Sequence, residues 1–138
     1  MTTRPNGCFS HVTLGSNDLK RSVDFYDAVL SPLGLTLLFP YEGEAYGYGR
    51  KGIDTQGAPV WILKPFDGRG AVPGNGVHVA FIAPNRHAVD LFYANALKHG
   101  GKDEGKPGLR PQYHAHYYAA YVRDPDGNKL QAVCHDPE

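Results

Sequence analysis

A chain of 138 residues with 14 basic and 14 acidic side chains, hence no formal net charge, is one domain's worth of sequence and long enough to bury a core without covalent staples. The balance excludes the basic surface that nucleic acid or an anionic membrane needs in a partner. Two cysteines, Cys8 and Cys134, make no disulfide framework, no apolar run approaches the roughly 18 residues of a bilayer span, and the opening residues carry no signal-peptide pattern, so the expected compartment is the cytoplasm.

Residues 1–7, with Arg4, Pro5, Asn6 and Gly7, are expected to be a frayed lead-in. Residues 8–14 alternate, with Phe9, His11 and Thr13 on one face and Val12 and Leu14 on the other, as in a strand with one face on the core. Asn17 or Asp18 caps a helix whose apolar stripe runs Leu19, Val23, Tyr26, Leu30 and Leu33. Pro32 ends its hydrogen bonding and Gly34 suits a left-handed stop. Strands are expected at 35–41, 45–50 and 59–64, the last opening on Pro59, where proline is tolerated. Residues 65–75, rich in glycine and proline, form a linker. A strand at 77–82 then places His78, Ala80 and Ile82 on one face. The next helix has Pro84 in its first turn, buries Val89, Phe92, Tyr93, Ala96 and Leu97, and stops at Gly100-Gly101. The polar stretch 102–112 is expected to give a short or irregular strand, and strands at 117–123 and 129–135 flank the turn Asp124-Pro125-Asp126-Gly127-Asn128.

The two halves repeat one another. Sliding residues 11–34 along by 67 positions, without a gap, superposes His11 on His78, Val12 on Val79, Phe25 on Phe92, Tyr26 on Tyr93, Leu30 on Leu97 and Gly34 on Gly101. The fold class expected is α+β, with two βαβββ modules (8–64 and 76–135) in one domain, packed as a cupped mixed sheet with helices outside.

The duplication puts two histidines at equivalent places. Because Val12 and Val79 suit the helix-covered face, His11 and His78 point into the cup, where two convergent imidazoles are the start of a metal site. The alternative for each is a ring that satisfies a backbone group at a strand edge. On the last strand Leu130 belongs to the core, so Gln131 shares the cup face and supplies a third candidate donor. His135 has the same parity but lies over 10 Å further along an extended strand. His87 and His99 are expected to be solvated on their helix, and Arg123 to partner Asp124 or Asp126.

His11-Val12, Asp18-Leu19-Lys20-Arg21-Ser22, Phe25-Tyr26, His78-Val79 and the DPDGNKLQ run at 124–131 together resemble the vicinal oxygen chelate superfamily, which groups glyoxalase I, bleomycin-resistance proteins, fosfomycin-resistance enzymes and extradiol dioxygenases. The resemblance covers nearly the whole chain. It implies paired βαβββ modules and, in metal-dependent members, a divalent ion that chelates vicinal oxygens of the substrate and stabilises an oxyanion. Carried over residue by residue, the ligands are His11, His78 and Gln131, around zinc, manganese, iron, nickel or magnesium, or no metal at all. The family usually has Glu at the last of these positions. A carboxamide brings no charge and cannot act as a general base, although its oxygen ligates hard metals. The fourth family position falls on the strand 59–64, where the ungapped offset pairs Lys64 with Gln131 and a one-residue shift pairs Leu63. Neither is an acid, so a three-ligand site is expected.

The run 109–118, LRPQYHAHYY, concentrates further functional groups. His114 and His116 are the candidate acid or base, and Tyr113, Tyr117 and Tyr118, with Trp61, the candidate substrate-binding residues; the alternatives are a structural turn and a core tryptophan. The function implied is a metal-assisted lyase, isomerase or dioxygenase acting on a small oxygenated molecule. Its rivals are a metal-free protein that binds a drug or other small ligand, and a catalytically silent ligand sensor. A homodimer is expected, because an open cup exposes apolar sheet.

Overall fold

The computed structural model describes residues 7–138, so the lead-in expected over 1–7 falls outside it except for Gly7, which is exposed coil. The elements are β1 (Val12–Gly15), α1 (Leu19–Leu30), a 3-10 turn (Ser31–Leu33), β2 (Thr36–Tyr41), β3 (Ala45–Gly49), β4 (Val60–Leu63), β5 (His78–Ile82), α2 (Arg86–Lys98), β6 (Lys102–Leu109), β7 (Tyr118–Arg123) and β8 (Lys129–Cys134). They make two four-stranded mixed sheets, ordered β1-β4-β3-β2 and β5-β8-β7-β6. In each, the first and last strands of the module pair in parallel and the remaining pairs are antiparallel.

Strand parity decides what is buried. Val60 and Ile62 on β4, Tyr46 and Tyr48 on β3, and Phe81, Val122, Leu130 and Ala132 in the second sheet turn to the helices and join one core that spans both modules. Asp18 caps α1 by accepting from the Arg21 N–H, and Gly34 takes the left-handed stop at φ 81°.

Three local expectations need correcting. The cap of α2 is Asn85, which accepts from the Ala88 N–H, so Pro84 lies before the helix and not in its first turn. Leu97 is 42 % exposed, because the buried stripe of α2 runs through Ala88, Val89, Phe92 and Ala96. β6 is eight residues long despite its polar composition. Its irregularity appears instead as register shifts between Asp103 and Gly105 and between Gly105 and Gly108, and as an outer-edge strand it tolerates Pro107.

The modules are held together by the β7–β8 turn. Asp124 is 3 % exposed, and its carboxylate accepts from the Tyr26 hydroxyl at 2.5 Å, the Asn128 side-chain amide at 2.9 Å and the backbone N–H groups of Asp126 and Asn128, both at 2.9 Å. Asp126 accepts from the Asn17 N–H and the Arg21 guanidinium, both at 3.0 Å, and Asn128 donates to the carbonyl of Gly15 at 3.0 Å. The turn of the second module thus grips the β1–α1 corner of the first. Gly127, at φ 92°, supplies the left-handed residue that closes it. Arg123 bonds Glu104 and the Gly127 carbonyl rather than either aspartate.

Burial holds the Asp124 carboxyl above its ordinary range despite its four donors. The folded chain therefore keeps that proton more tightly than the unfolded chain. The group's contribution to stability is greatest below the ordinary carboxylate range and falls as pH rises through the raised value. Above the raised value the Tyr26 hydroxyl serves a buried charge, and below it a neutral acid. Tyr26→Phe is expected to cost about 2 kcal/mol at pH 7 and about 1 kcal/mol near pH 3, measured by urea unfolding at both. An equal loss at the two pH values would mean that Asp124 is not ionised in the folded chain at pH 7.

Candidate functional site

In the second sheet the face away from α2 carries His78, Ala80 and Ile82 from β5, Gln131 from β8 and Tyr121 from β7. His78 Nε2 and Gln131 Oε1 are 3.1 Å apart. Gln131 is 1 % exposed, and its amide nitrogen donates to the Tyr117 hydroxyl, so both ends of the buried amide have partners. Tyr121 meets the His78 ring edge-on with centroids 6.0 Å apart. Burial, then its hydrogen bond with Tyr117, pushes the Tyr121 hydroxyl up to about 12. Arg110 and Lys129 each lie over the Tyr121 ring, at 5.6 and 5.5 Å.

The stretch between β6 and β7 folds over the end of β8. The Arg110 N–H donates to the Tyr117 carbonyl at 2.7 Å and closes the loop, and the Tyr113 and Tyr117 rings pack at 4.8 Å. His114 and His135 meet head-on, Nε2 to Nδ1, at 2.9 Å. His114 Nδ1 accepts from the His116 N–H at 3.1 Å, so in the neutral ring the proton sits on Nε2 and is donated to His135. Sequence reasoning set His135 aside on its distance from Gln131, and its link to His114 depends on how the loop folds back. Both ring nitrogens of His114 are therefore engaged, and its ring approaches Gln131 only through Tyr117, at 5.4 Å between centroids. Of the groups in this loop, Tyr117 is the one bonded to the His78–Gln131 pair. Tyr118 points the opposite way, donating to Asp90 on α2 at 2.6 Å with Arg86 over its ring. His99 Nδ1 bonds the Asn95 carbonyl, and His87 is exposed.

In the first sheet His11 lies just before β1, exposed, with Nδ1 on the Ser10 hydroxyl at 2.8 Å. The strand registers identify its partner. Ala80, two residues after His78, pairs with Gln131, and Thr13, two residues after His11, pairs with Trp61. Trp61, not Lys64 or Leu63, is therefore the counterpart of Gln131. The ungapped offset misses it by three residues: the connections 42–44 and 50–59 differ from 110–117 and 124–128 one by one but cancel in total, and the excess lies in the second module's longer strands, β6 with eight residues against six in β2 and β7 with six against five in β3. Trp61 is half-buried and stacks with Phe39 at 6.0 Å and Tyr41 at 5.9 Å. Among the described residues no three His, Cys, Asp or Glu side chains come together as a metal cluster.

Tyr117→Phe removes the partner of the buried Gln131 amide nitrogen. It is expected to lower stability by about 1–2 kcal/mol, measured by thermal unfolding, and to move the Gln131 side-chain amide resonances. Unmoved resonances would mean that the amide has another partner.

The sequence profile described as the Glyoxalase/Bleomycin resistance protein/Dioxygenase superfamily matches residues 9–132. No curated protein sequence matches the chain. Among solved structures, a glyoxalase/bleomycin resistance protein from Albidiferax ferrireducens T118 is 36% identical, covers 93% of this chain and 98% of its own, and superposes with a TM-score of 0.79. A glyoxalase-related enzyme from Fulvimarina pelagi is 21% identical over 94% of this chain and 88% of its own, with a TM-score of 0.67. Lactoylglutathione lyase from Agrobacterium tumefaciens is 20% identical over 95% of each chain, with a TM-score of 0.61. With these last two the likeness is one of fold.

Proposed function

Because the chain belongs to the glyoxalase/bleomycin resistance protein/dioxygenase superfamily, we propose that it is a metal-assisted enzyme, of lyase, isomerase or dioxygenase type, acting on a small oxygenated molecule. The ion is assigned to His78 and Gln131, with His11 as the third donor. The observation that carries this reading is the 3.1 Å between His78 Nε2 and Gln131 Oε1, the spacing of two neighbouring donors on one ion with bonds of about 2.1 Å. All three donors fit a divalent cation by atom type, and His78 and Gln131 fit it by spacing as well. The set brings no negative charge, so affinity is modest and exchange with solvent is expected. A bound ion supplies Lewis-acid stabilisation of a developing oxyanion.

The protein's own contribution is positional. Tyr117 holds the nitrogen end of the Gln131 amide and so turns its oxygen toward His78. Tyr121, with its proton held firmly at neutral pH, walls the pair on the β7 side. Gln131 cannot take a proton from substrate, and His114 and His116 do not touch the pair, so any acid or base here acts through Tyr117 or water. A homodimer is part of the proposal. β1 and β5 are edge strands, and at β5 the last residue, Ile82, and the one before the strand, Val77, are 76 % and 64 % exposed.

A second reading, a metal-free protein that binds a small ligand, is favoured by one observation. Trp61 stands at the register position where a second oxygen donor would complete a four-ligand site.

Zinc or manganese titrated into three proteins tests the metal. Wild type is expected to bind, His78→Ala to lose binding, and Gln131→Glu to bind about ten-fold tighter or more, because a formal charge is added beside the cation. The glutamate keeps both partners, His78 Nε2 and the Tyr117 hydroxyl. Binding that is equal or weaker in Gln131→Glu, or unchanged in His78→Ala, would remove the pair from the proposal and leave the ligand-binding reading.

A further inference from the structure

We infer that the imidazole pair His114–His135 is a proton-operated catch on the loop 110–117, closed while both rings are neutral and released by acid. The catch regulates the His78–Gln131 site, and in that respect it rests on the function proposed above.

Among the described residues the loop is tied to β8 and the tail behind it by two side-chain bonds, Gln131 to Tyr117 and His114 to His135. Gln131 is buried, whereas both imidazoles lie in solvent. With His114 Nε2 and His135 Nδ1 2.9 Å apart, the ring centroids are 5.1 Å apart, close to the largest separation that contact allows. The two nitrogens therefore lie on the line between the rings, as in a hydrogen bond, and do not converge on a third point as two ligands of one ion do. His114 Nδ1 accepts from the His116 N–H, which leaves its own proton on Nε2, and that proton goes to His135 Nδ1. His135 then carries its proton on Nε2, so neither ring keeps a free lone pair. A proton added to His114 meets the His116 N–H, and one added to His135 meets the His114 N–H. The first proton taken up breaks one of the two bonds. The second breaks the other and leaves two like charges in contact.

The surroundings hold no fixed partner for the added charge. On the loop, the Tyr117 ring meets the two imidazoles edge-on at 5.4 and 5.3 Å, Tyr113 packs behind it, and the His116 ring is exposed. Arg110 directs its guanidinium to the carbonyls of Gly108 and Lys106. From β7, Tyr118 turns away to Asp90, and β5 places only Ile82 beside that end of β8. On β8 itself Cys134 is buried with its sulfur toward the Asp136 carbonyl. Of the carboxylates that follow His135, Asp136 is next in sequence and Glu138 is held by Arg86. Among the described residues neither imidazole is paired with a carboxylate. Histidine is the side chain that ordinarily changes charge between about pH 5 and 8. Release in that range leaves the Gln131–Tyr117 bond as the sole side-chain tie, so the amide whose oxygen faces His78 is held less firmly.

Hydrogen exchange of the Gln131 side-chain amide reads the catch, because the loop must lift before water reaches that buried group. Rates are measured at pH 7.5 and pH 5 in excess EDTA and divided into the intrinsic rate at each pH to give a protection factor. In wild type the protection is expected to fall about five-fold from pH 7.5 to pH 5, the effect of one hydrogen bond of ordinary strength. His135→Asn sets an amide oxygen where His135 Nδ1 stands; it accepts from His114 and takes up no proton, so protection is expected to hold at pH 5. His114→Ala, at an exposed position, is expected to be about five-fold less protected than wild type at pH 7.5 and to change little on acidification. His78, at the other end of the same amide, is present in all three proteins, so its own protonation cancels in the comparison. Constant protection in wild type, an equal fall in wild type and His135→Asn, or full protection in His114→Ala at pH 7.5 would overturn the inference. With EDTA present the outcome is independent of the metal titration. A pH-dependent catch without metal binding leaves a gated site for a ligand of another kind, and metal binding without the pH dependence leaves the enzyme reading with an ungated loop.

Discussion

The structure depends on one buried carboxylate. Asp124 accepts from four donors, three within its own turn and one on α1. The three shape a five-residue corner, and the fourth ties that corner to the other module. Asp126 and Asn128 then project from the corner to Asn17, Arg21 and Gly15. A turn that served only β7 and β8 would have no need of a buried charge, since a glycine and a few backbone bonds suffice for a hairpin. The burial makes sense as an alignment device. It sets the first sheet against the second at the end of β1, and every statement about the cup faces rests on that setting. Side chains from the two helices add to it, with Asn95 donating to the Ala28 carbonyl at 2.8 Å.

The duplicated plan does not extend to the chemistry it carries. His11 and His78 occupy equivalent places, yet one sits across the strand pair from an amide and the other from an indole. The long connection 110–117 belongs to the second module, and it brings Tyr117 onto Gln131 and His114 onto His135. The first module has a tight turn at that place and so has no cover for Trp61, whose neighbours come from β2 instead. Loop length and the residues at matching strand positions together set the halves apart.

Much of this was visible in the residues. The alternation around His78 and around Leu130 put His78 and Gln131 on one face, and the two are in contact. The repeat gave the order of elements, and the caps and glycine stops gave the ends of α1. Two kinds of information were hidden. Register across a parallel pair depends on the lengths of all the strands and connections in between, so Trp61 could not be matched to Gln131 by counting residues. The orientation of a loop side chain depends on what the loop folds against. Tyr117 and Tyr118 are adjacent and chemically alike, yet one meets Gln131 and the other Asp90, because the chain enters β7 between them. The length of β6 escaped for a related reason. Its glycines and proline argue against a strand, but pairing with β7 outweighs that preference once it needs only one partner.

The outer strands of both sheets carry proline, Pro40 on β2 and Pro107 on β6, and a residue without an N–H cannot extend a ladder toward an incoming strand. The edges at β1 and β5 contain none. Strand addition is therefore discouraged at one margin of each sheet and permitted at the other. A single sheet limited in this way cannot be the middle member of a continuous ladder, the open-ended arrangement that leads to fibres.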